Sequence, residues 1–210
     1  MPFATYLFDL DGTLIDSVEL ILSSYRHTLT VHRGSAPPDD VWLAGLGTPL
    51  RTQFREFTDD PVEIEAMVDT YREHNHANHD RLVRRYPGVN QAVHAVAQRA
   101  RVGIVTSKLR ASAVRGLEHC GFDGVFQVIV GSDDVEKHKP NPEPVERALA
   151  LLDAESATTV FIGDSPHDMA AGRAAGVRTA AALWGPFSRA MLEPCAPDHW
   201  LAGPAEIATL

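Results

Sequence analysis

The sequence predicts an α/β protein: a doubly wound parallel sheet with a Rossmann-like order and a small α-helical domain inserted into it. Four short runs rich in Val, Ile and Phe are each followed by turn residues, which is typical of buried parallel strands. These runs cover residues 3–8, 102–105, 125–130 and 160–162. Helical patterns at residues 89–101, 111–119 and 142–152 precede the second, third and fourth runs, so strand and helix alternate.

The segment between residues 16 and 83 breaks this alternation. Its apolar residues follow helical spacing in two stretches: Val18, Ile21, Leu22, Tyr25 and Leu29, then Ile64, Met67, Val68 and Tyr71. The chain returns to the sheet through a turn signal at residues 86–88. We therefore expect a helical cap domain at residues 16–83 and a core built from residues 1–15 and 84–210.

The composition indicates an ordinary globular protein with small partners. With 19 Lys and Arg against 28 Asp and Glu, the net charge is −9, which argues against a nucleic-acid or anionic-membrane surface. Cys120 and Cys195 are too few and too distant for a disulfide framework, and no apolar stretch of membrane-spanning length is present. These features predict a cytoplasmic protein that binds small molecules or metal cations, as a monomer or a homodimer.

Polar side chains follow each predicted strand, where the ligand site of an open parallel sheet lies. They are Asp9, Asp11, Gly12 and Thr13 after the first run, Thr106, Ser107 and Lys108 after the second, Lys139 before the helix at 142, and Asp164, Ser165 and Asp168 after the fourth. Carboxylates, hydroxyls and a lysine are therefore expected to meet at one edge of the sheet.

The carboxylates predict a magnesium site. Asp9 and Asp11 would repel each other unless a cation lay between them, and together with Asp164 they offer the oxygen ligands that Mg²⁺ prefers. Lys139 would offset the remaining charge. The neighbouring hydroxyls, with an expected free amide at Gly12, are suited to a phosphate dianion.

Several of these residues also have simpler interpretations, which the sequence leaves open. Residues 163–168 form a good helix start with Ser165 as the N-cap, and a Thr-Ser pair is common in turns. Lys137 is an alternative to Lys139. The histidines of HNHANH at residues 74–79 cannot converge from a single helix, so we do not expect a zinc site there.

Taken together, DLDGT at 9–13, the Thr106-Ser107 pair, Lys139 before proline and GDSPHD at 163–168 resemble the four motifs of the haloacid dehalogenase superfamily of phosphatases. The resemblance implies that Asp9 is the nucleophile, forming an aspartyl-phosphate, and that Asp11 is the general acid and then the base. It also implies that Thr106 binds a phosphoryl oxygen and that Lys139 neutralises charge.

The same resemblance implies a ligand set for Mg²⁺. The carboxylates of Asp9 and Asp164 and the backbone carbonyl of Asp11 would hold the ion, and Asp168 would support it directly or through water. Because dehalogenases of the superfamily lack an acid at the position of Asp11, phosphatase chemistry is favoured.

The inserted cap is similar to that of the branch acting on small phosphates. Residues 45–51, ending at Arg51, resemble a loop that reaches the substrate in that branch, although a plain turn between helices has the same sequence features. Residues 71–80 and 133–144 look like those of bacterial pyrophosphatases of the HPr-serine-phosphate system and, more loosely, of phosphoglycolate phosphatases. We expect Gly12, Ser107 and Arg51, with Thr106 and Lys139, to bind substrate.

The resulting prediction is a Mg²⁺-dependent phosphohydrolase that cleaves a small phosphorylated compound or pyrophosphate. A sugar phosphomutase shares the fold and the paired aspartates, so it is the alternative enzyme. A catalytically silent phosphate-binding module is the non-enzymatic alternative.

Overall fold

The computed structural model describes residues 2–210. Its strands are β1 (Thr5–Phe8), β2 (Ile15–Asp16), β3 (Arg84–Arg85), β4 (Arg101–Val105), β5 (Val128–Val130), β6 (Thr159–Gly163), β7 (Arg178–Ala182) and β8 (His199–Leu201). Six of them form a parallel sheet in the order β5-β4-β1-β6-β7-β8. The order reverses at β1, and crevices for ligands form at such a switch point.

The helices are α1 (Val18–Arg33), α2 (Asp39–Leu43), α3 (Leu50–Phe54), α4 (Pro61–Leu82), α5 (Val89–Ala97), α6 (Arg110–His119), α7 (Glu143–Leu152), α8 (Pro166–Ala174) and α9 (Arg189–Leu192). The first four lie between β2 and β3, which pair antiparallel with each other. None of the helices within residues 2–210 combines the length and the apolar character needed to cross a membrane.

The sheet is covered on both faces, as the predicted doubly wound fold requires. Along β1 the side chains alternate between two core clusters: Tyr6 and Phe8 pack with residues of α5 and α6, and Leu7 packs with residues of α7 and α8. Because β1 is buried and hydrogen-bonded on both sides, it is a rigid support for the residues that follow it. The predicted fold class is therefore confirmed.

The helices between β2 and β3 pack around a third buried cluster, which also includes Met169 of α8 and Ala181 of β7. Tyr25 of α1 stacks on Trp42 of α2 at 4.5 Å between ring centroids, and Met67 and Val68 of α4 are buried beside them. Asp60 caps α4 by accepting a hydrogen bond of 2.9 Å from the amide of Val62. The expected helical character of the inserted segment is thus present.

Some predicted bounds were wrong, and two strands of the six-stranded sheet were missed. The helix predicted at 89–101 ends at Ala97, because Arg101 already pairs with Thr5 of β1 as the first residue of β4. The first and third strands begin later than predicted, at Thr5 and Val128. The missed strands are β7, which is rich in alanine, and β8, which has three residues, so neither has a strong strand pattern.

Candidate active site

Asp9 and Lys139 form a buried ion pair at the carboxyl end of β1. The Lys139 ammonium donates to Oδ1 of Asp9 at 2.8 Å, to Oδ1 of Asp168 at 2.6 Å and to the carbonyl of Val105 at 3.3 Å. Burial raises the pKa of Asp9 to about 7, although the charge of Lys139 opposes this shift. Lys137 is exposed, so Lys139 is the lysine of this segment that faces the carboxylates.

Three carboxylates lie together beside this lysine. Oxygen atoms of Asp9, Asp164 and Asp168 all lie within 4.8 Å of one another, and all three side chains are buried. Burial, together with the charges of Asp168 and Asp9, raises the pKa of Asp164 well above its ordinary value. Oδ1 of Asp164 accepts a hydrogen bond of 2.7 Å from the hydroxyl of Thr13.

The cluster fits a divalent cation. All of its donors are oxygens, and three carboxylates against one ammonium leave two negative charges when every carboxylate is ionised. Asp164 faces Thr13 rather than a basic side chain, so its charge lacks the partner that Lys139 gives to Asp9 and Asp168. These features favour a hard divalent ion bound against Asp9 and Asp164.

Asp168 has a structural role as well as a place in this cluster. Its Oδ2 accepts hydrogen bonds from the Ser165 amide at 3.0 Å and from the Ser165 hydroxyl at 2.6 Å, and its own amide donates back to that hydroxyl at 3.2 Å. This reciprocal arrangement is a capping box at the start of α8. The helix-start interpretation of residues 163–168 is therefore correct, and it coexists with the carboxylate cluster.

Asp11 lies outside the group of three carboxylates. Its Oδ1 accepts hydrogen bonds from the ammonium of Lys108 at 2.6 Å and from the hydroxyl of Ser17 at 2.5 Å. Lys108 belongs to the same loop as Thr106, which is buried at the end of β4. An ion pair thus joins the first and second motifs across the site.

Gly12 differs from its expected role. Its amide is not free, because it donates to the carbonyl of Ile15 at 2.9 Å. The glycine is needed for another reason: its φ is +85°, and a Cβ there would lie 2.6 Å from Oδ2 of Asp164. Gly12 therefore allows the loop after β1 to pass directly beside the carboxylate of Asp164.

The loop at residues 45–49 reaches the site. The hydroxyl of Ser107 donates to the carbonyl of Gly47 at 2.5 Å, and the Cα of Gly47 faces the side chains of Ser165 and His167. A plain turn between two helices would not need to contact residues beyond those helices, so this loop is more than a turn. The loop connects the inserted helices to the residues that follow β4 and β6.

Arg51 lies at the edge of this region with its guanidinium already engaged. It makes two hydrogen bonds to Glu65, of 2.5 Å and 2.7 Å, and half of the side chain is exposed. The residue lines the cavity above the carboxylates, but its charge is balanced by Glu65 in this conformation.

The histidines of the inserted segment do not converge. His74 contacts Ser24, His76 contacts Arg115, and Nδ1 of His79 lies 2.7 Å from Asp80. Within residues 2–210, none of the three belongs to a group with the geometry of a metal site.

A cavity of about 970 Å³ lies between the inserted helices and the sheet. Its floor includes Asp9, Thr106 and Asp164, and its opposite wall includes apolar residues such as Trp42 and Leu46. It is large enough for a small organic phosphate.

Sequence reasoning missed two residues that shape the site, Ser17 and Gly185. Thr13 and Lys108 were placed at the strand ends but were given no role of their own. Gly185 had no signal in the sequence, because a Cβ there would clash with Asp164, which is remote in sequence.

The model of the family described as haloacid dehalogenase-like hydrolase matches residues 6–182. The chain therefore belongs to this family and is a hydrolase, as its motifs predict.

Individual relatives show which members of the family the chain resembles. The chain is 46% identical over 182 residues to pyrophosphatase PpaX of Halalkalibacterium halodurans, and the aligned region covers 86% of this chain and 83% of the relative. It is 39% identical to pyrophosphatase PpaX of Anoxybacillus flavithermus over 100% of this chain and 97% of the relative. A solved structure provisionally assigned as a phosphoglycolate phosphatase, from Lactobacillus plantarum, superposes with a TM-score of 0.89 at 25% identity over 100% and 99% of the two chains. The resemblance to pyrophosphatases and phosphoglycolate phosphatases is thereby confirmed.

Proposed function

We propose that this hydrolase is a Mg²⁺-dependent phosphatase that cleaves pyrophosphate, or a small phosphate monoester such as phosphoglycolate, through an aspartyl-phosphate on Asp9. The observation that carries the proposal is the buried Asp9 at the end of β1, paired with Lys139 and followed two residues later by Asp11. The relatives named pyrophosphatase favour pyrophosphate among these substrates.

In the first half of the reaction, a carboxylate oxygen of Asp9 attacks the phosphorus atom. The bond between phosphorus and the bridging oxygen breaks, and that oxygen leaves with the electron pair and takes a proton from Asp11. In the second half, Asp11 accepts a proton from a water molecule, which attacks the phosphorus of the aspartyl-phosphate and releases Asp9 and phosphate.

Other residues bind and orient the phosphoryl group. The Thr106 hydroxyl and Lys139 would hydrogen-bond its oxygens, with Ser107 beside them, and Lys139 would offset the charge that gathers in the transition state. Gly12 would let the backbone approach closely, and Arg51 would take part when substrate displaces Glu65.

Asp9 and Asp164 would hold Mg²⁺ with their carboxylates and Asp11 with its backbone carbonyl, while Asp168 would support the ion from its place in the capping box. When bound, Mg²⁺ supplies positive charge that offsets the crowded carboxylates and the phosphoryl oxygens.

We assign residues 16–83 to a cap domain that covers the site and excludes water, and residues 1–15 and 84–210 to the catalytic core. Support for this division comes from the packing of the four helices against one another and from the two-stranded link between β2 and β3. The unpaired cysteines support a reducing compartment such as the cytoplasm.

The test is phosphate release from pyrophosphate, phosphoglycolate and a panel of sugar phosphates, with Mg²⁺ and with EDTA. Asp9→Asn should lower kcat on the order of 1000-fold or more, because it removes the nucleophile. Asp123→Asn changes an exposed aspartate far from the cluster and should match the parent. Circular dichroism of both variants checks that they are folded.

Equal rates in Asp9→Asn and the parent would contradict the mechanism. Interconversion of labelled sugar phosphates without phosphate release would indicate a mutase. Binding of phosphate esters without turnover would indicate a binding module.

A further inference from the structure

The backbone of Lys108 is fixed by two hydrogen bonds, and its side chain extends across the active site. Its amide donates to the hydroxyl oxygen of Thr106 at 3.2 Å, and its carbonyl accepts from the amide of Ser132 at 2.9 Å. The side chain is only 12% exposed and reaches Asp11, where its ammonium lies 2.6 Å from Oδ1. A cation with a fixed backbone therefore lies beside the proposed acid.

The ammonium of Lys108 has donors to spare. It has three N–H groups, and one of them bonds Asp11. Within residues 2–210, Nζ makes no other hydrogen bond, and the residue lines the cavity. The remaining donors are therefore available to a bound molecule.

Oδ1 of Asp11 has a hydrogen-bond donor other than Lys108. The same Oδ1 accepts a second hydrogen bond from the Ser17 hydroxyl at 2.5 Å, and Ser17 is fully buried at the start of α1. Ser17 can therefore position Asp11 but cannot reach the cavity, whereas Lys108 can do both.

Lys108 and Lys139 lie beside different parts of the substrate in the proposed reaction. Lys139 bonds the nucleophile Asp9, so it serves the phosphoryl group that is transferred. Lys108 bonds Asp11, the residue proposed to give its proton to the leaving oxygen, so its ammonium lies beside the leaving group. Lys139 thus serves the transferred phosphoryl group, and Lys108 serves the leaving group.

We propose that Lys108 binds the leaving group and selects substrates whose leaving group is an anion, such as the second phosphate of pyrophosphate. This inference rests on the proposed function. When the bond between phosphorus and the bridging oxygen breaks, the electron pair stays on the bridging oxygen, which takes the proton of Asp11. Lys108 keeps its proton and donates hydrogen bonds to the outgoing phosphate, and these bonds strengthen as charge moves onto it.

The other cations of the cavity wall are less suited to this role. Arg51 is paired with Glu65, and Arg115 with Asp80 at 3.0 Å. Arg55 and Arg72 also line the cavity, but among the arginines and lysines of its wall only Lys108 forms an ion pair with the proposed acid.

The experiment compares kcat/KM for pyrophosphate, which has an anionic leaving group, with that for glycerol phosphate, whose leaving group is a neutral alcohol once it has taken the proton of Asp11. In Lys108→Met the ratio of the two values should fall at least about tenfold, mainly through a higher KM for pyrophosphate, because charge-assisted hydrogen bonds are lost. Lys108→Arg should retain most of the ratio, since it keeps the charge.

Ser17→Ala is the matched control, because it removes the other hydrogen bond to the same oxygen of Asp11 without removing a cation. It should affect both substrates alike. If Lys108→Met and Ser17→Ala give the same substrate profile, Lys108 acts only by positioning Asp11 and the inference is wrong. An unchanged ratio in Lys108→Met would overturn it as well.

A binding measurement separates this inference from the proposed function. Calorimetry with imidodiphosphate and with orthophosphate does not depend on turnover. In Lys108→Met the affinity for imidodiphosphate should fall about tenfold more than the affinity for orthophosphate. Equal losses would overturn the inference, and a parent protein that binds imidodiphosphate but cleaves no phosphate would overturn only the proposed function.

Discussion

Nζ of Lys139 lies 2.8 Å from Oδ1 of Asp9, and both side chains are almost completely buried. Burial alone would lower the pKa of this lysine, but the carboxylates of Asp168 and Asp9 outweigh it and raise the pKa above its ordinary value. The ammonium is therefore a permanent positive charge beside Asp9, the proposed nucleophile. It balances a group of carboxylates that would otherwise be unstable in the interior.

Lys139→Met should lower kcat about 10²- to 10³-fold, because it removes a fixed charge aimed at the phosphoryl group. In EDTA it should also lower the free energy of unfolding by about 3–5 kcal/mol, since buried carboxylates lose their cation. Steady-state kinetics and urea unfolding measure the two effects. The control is Lys137→Met, which changes an exposed lysine of the same segment and should lower neither kcat nor the free energy of unfolding. Parent-like kcat in Lys139→Met would exclude the charge-balancing role.

The stability of the metal-free protein should fall as the pH rises through the range set by Asp9. Because its pKa is raised from 3.8 to about 7 in the folded state, the folded protein binds the proton more tightly than the unfolded chain. The stabilisation is complete below about pH 4 and is lost as the pH rises to about 7, on the order of 1.4 kcal/mol for each pH unit in that interval. The raised pKa of Asp164 acts in the same direction.

Thermal unfolding between pH 4 and pH 8, in EDTA and in Mg²⁺, measures this effect. Mg²⁺ should flatten the profile, because a cation replaces the protons. Asp9→Asn isolates the contribution of one carboxylate from those of other acidic groups, and its profile in EDTA should be flatter than that of the parent. Identical profiles for the two proteins would show that Asp9 is not the titrating group.

The sequence was sufficient to predict which residues stand at the strand ends, because a parallel sheet brings those ends to one edge. Asp9 and Lys139 are 130 residues apart in the chain, and their meeting was predicted from the strand ends together with the Lys-Pro motif of the family resemblance. Contacts set by tertiary packing were not predictable in this way. The pairing of Arg51 with Glu65 depends on how α3 packs against α4, and the hydrogen bond that occupies the Gly12 amide depends on the turn that follows it.

Gly12→Ala should reduce both stability and metal affinity. The residue has a φ of +85°, and the added methyl would lie 2.6–2.8 Å from the carboxylate atoms of Asp164. The strained backbone costs about 1–2 kcal/mol, and the displaced carboxylate adds to that cost and weakens metal binding. Urea unfolding and calorimetric titration with Mg²⁺ measure the two quantities.

Gly34→Ala separates strain from contact. Gly34 ends α1 with a φ of +80°, but a Cβ there would meet nothing within 4 Å. This variant should lose about 1–2 kcal/mol of stability and keep the parent's metal affinity. If Gly12→Ala loses no more stability than Gly34→Ala and keeps the parent's metal affinity, the close approach to Asp164 has no effect on either quantity.

Ser107→Ala should loosen the loop that reaches the site from the inserted helices. The Ser107 hydroxyl donates to the carbonyl of Gly47 at 2.5 Å, which ties residues 45–49 to the loop after β4. Loss of one hydrogen bond of about 1 kcal/mol should speed amide exchange in that loop about fivefold and raise KM, because fewer molecules hold the loop over the substrate. Hydrogen exchange followed by mass spectrometry measures the first effect.

The control for this variant is Ser188→Ala, which changes an exposed serine that caps nothing with its side chain. It should leave exchange in residues 45–49 and KM as they are in the parent. Faster exchange in Ser107→Ala without a change in KM would mean that the loop closes independently of this hydrogen bond once substrate is bound. Unchanged exchange would mean that packing of the loop against Ser165 and His167, rather than Ser107, holds it in place.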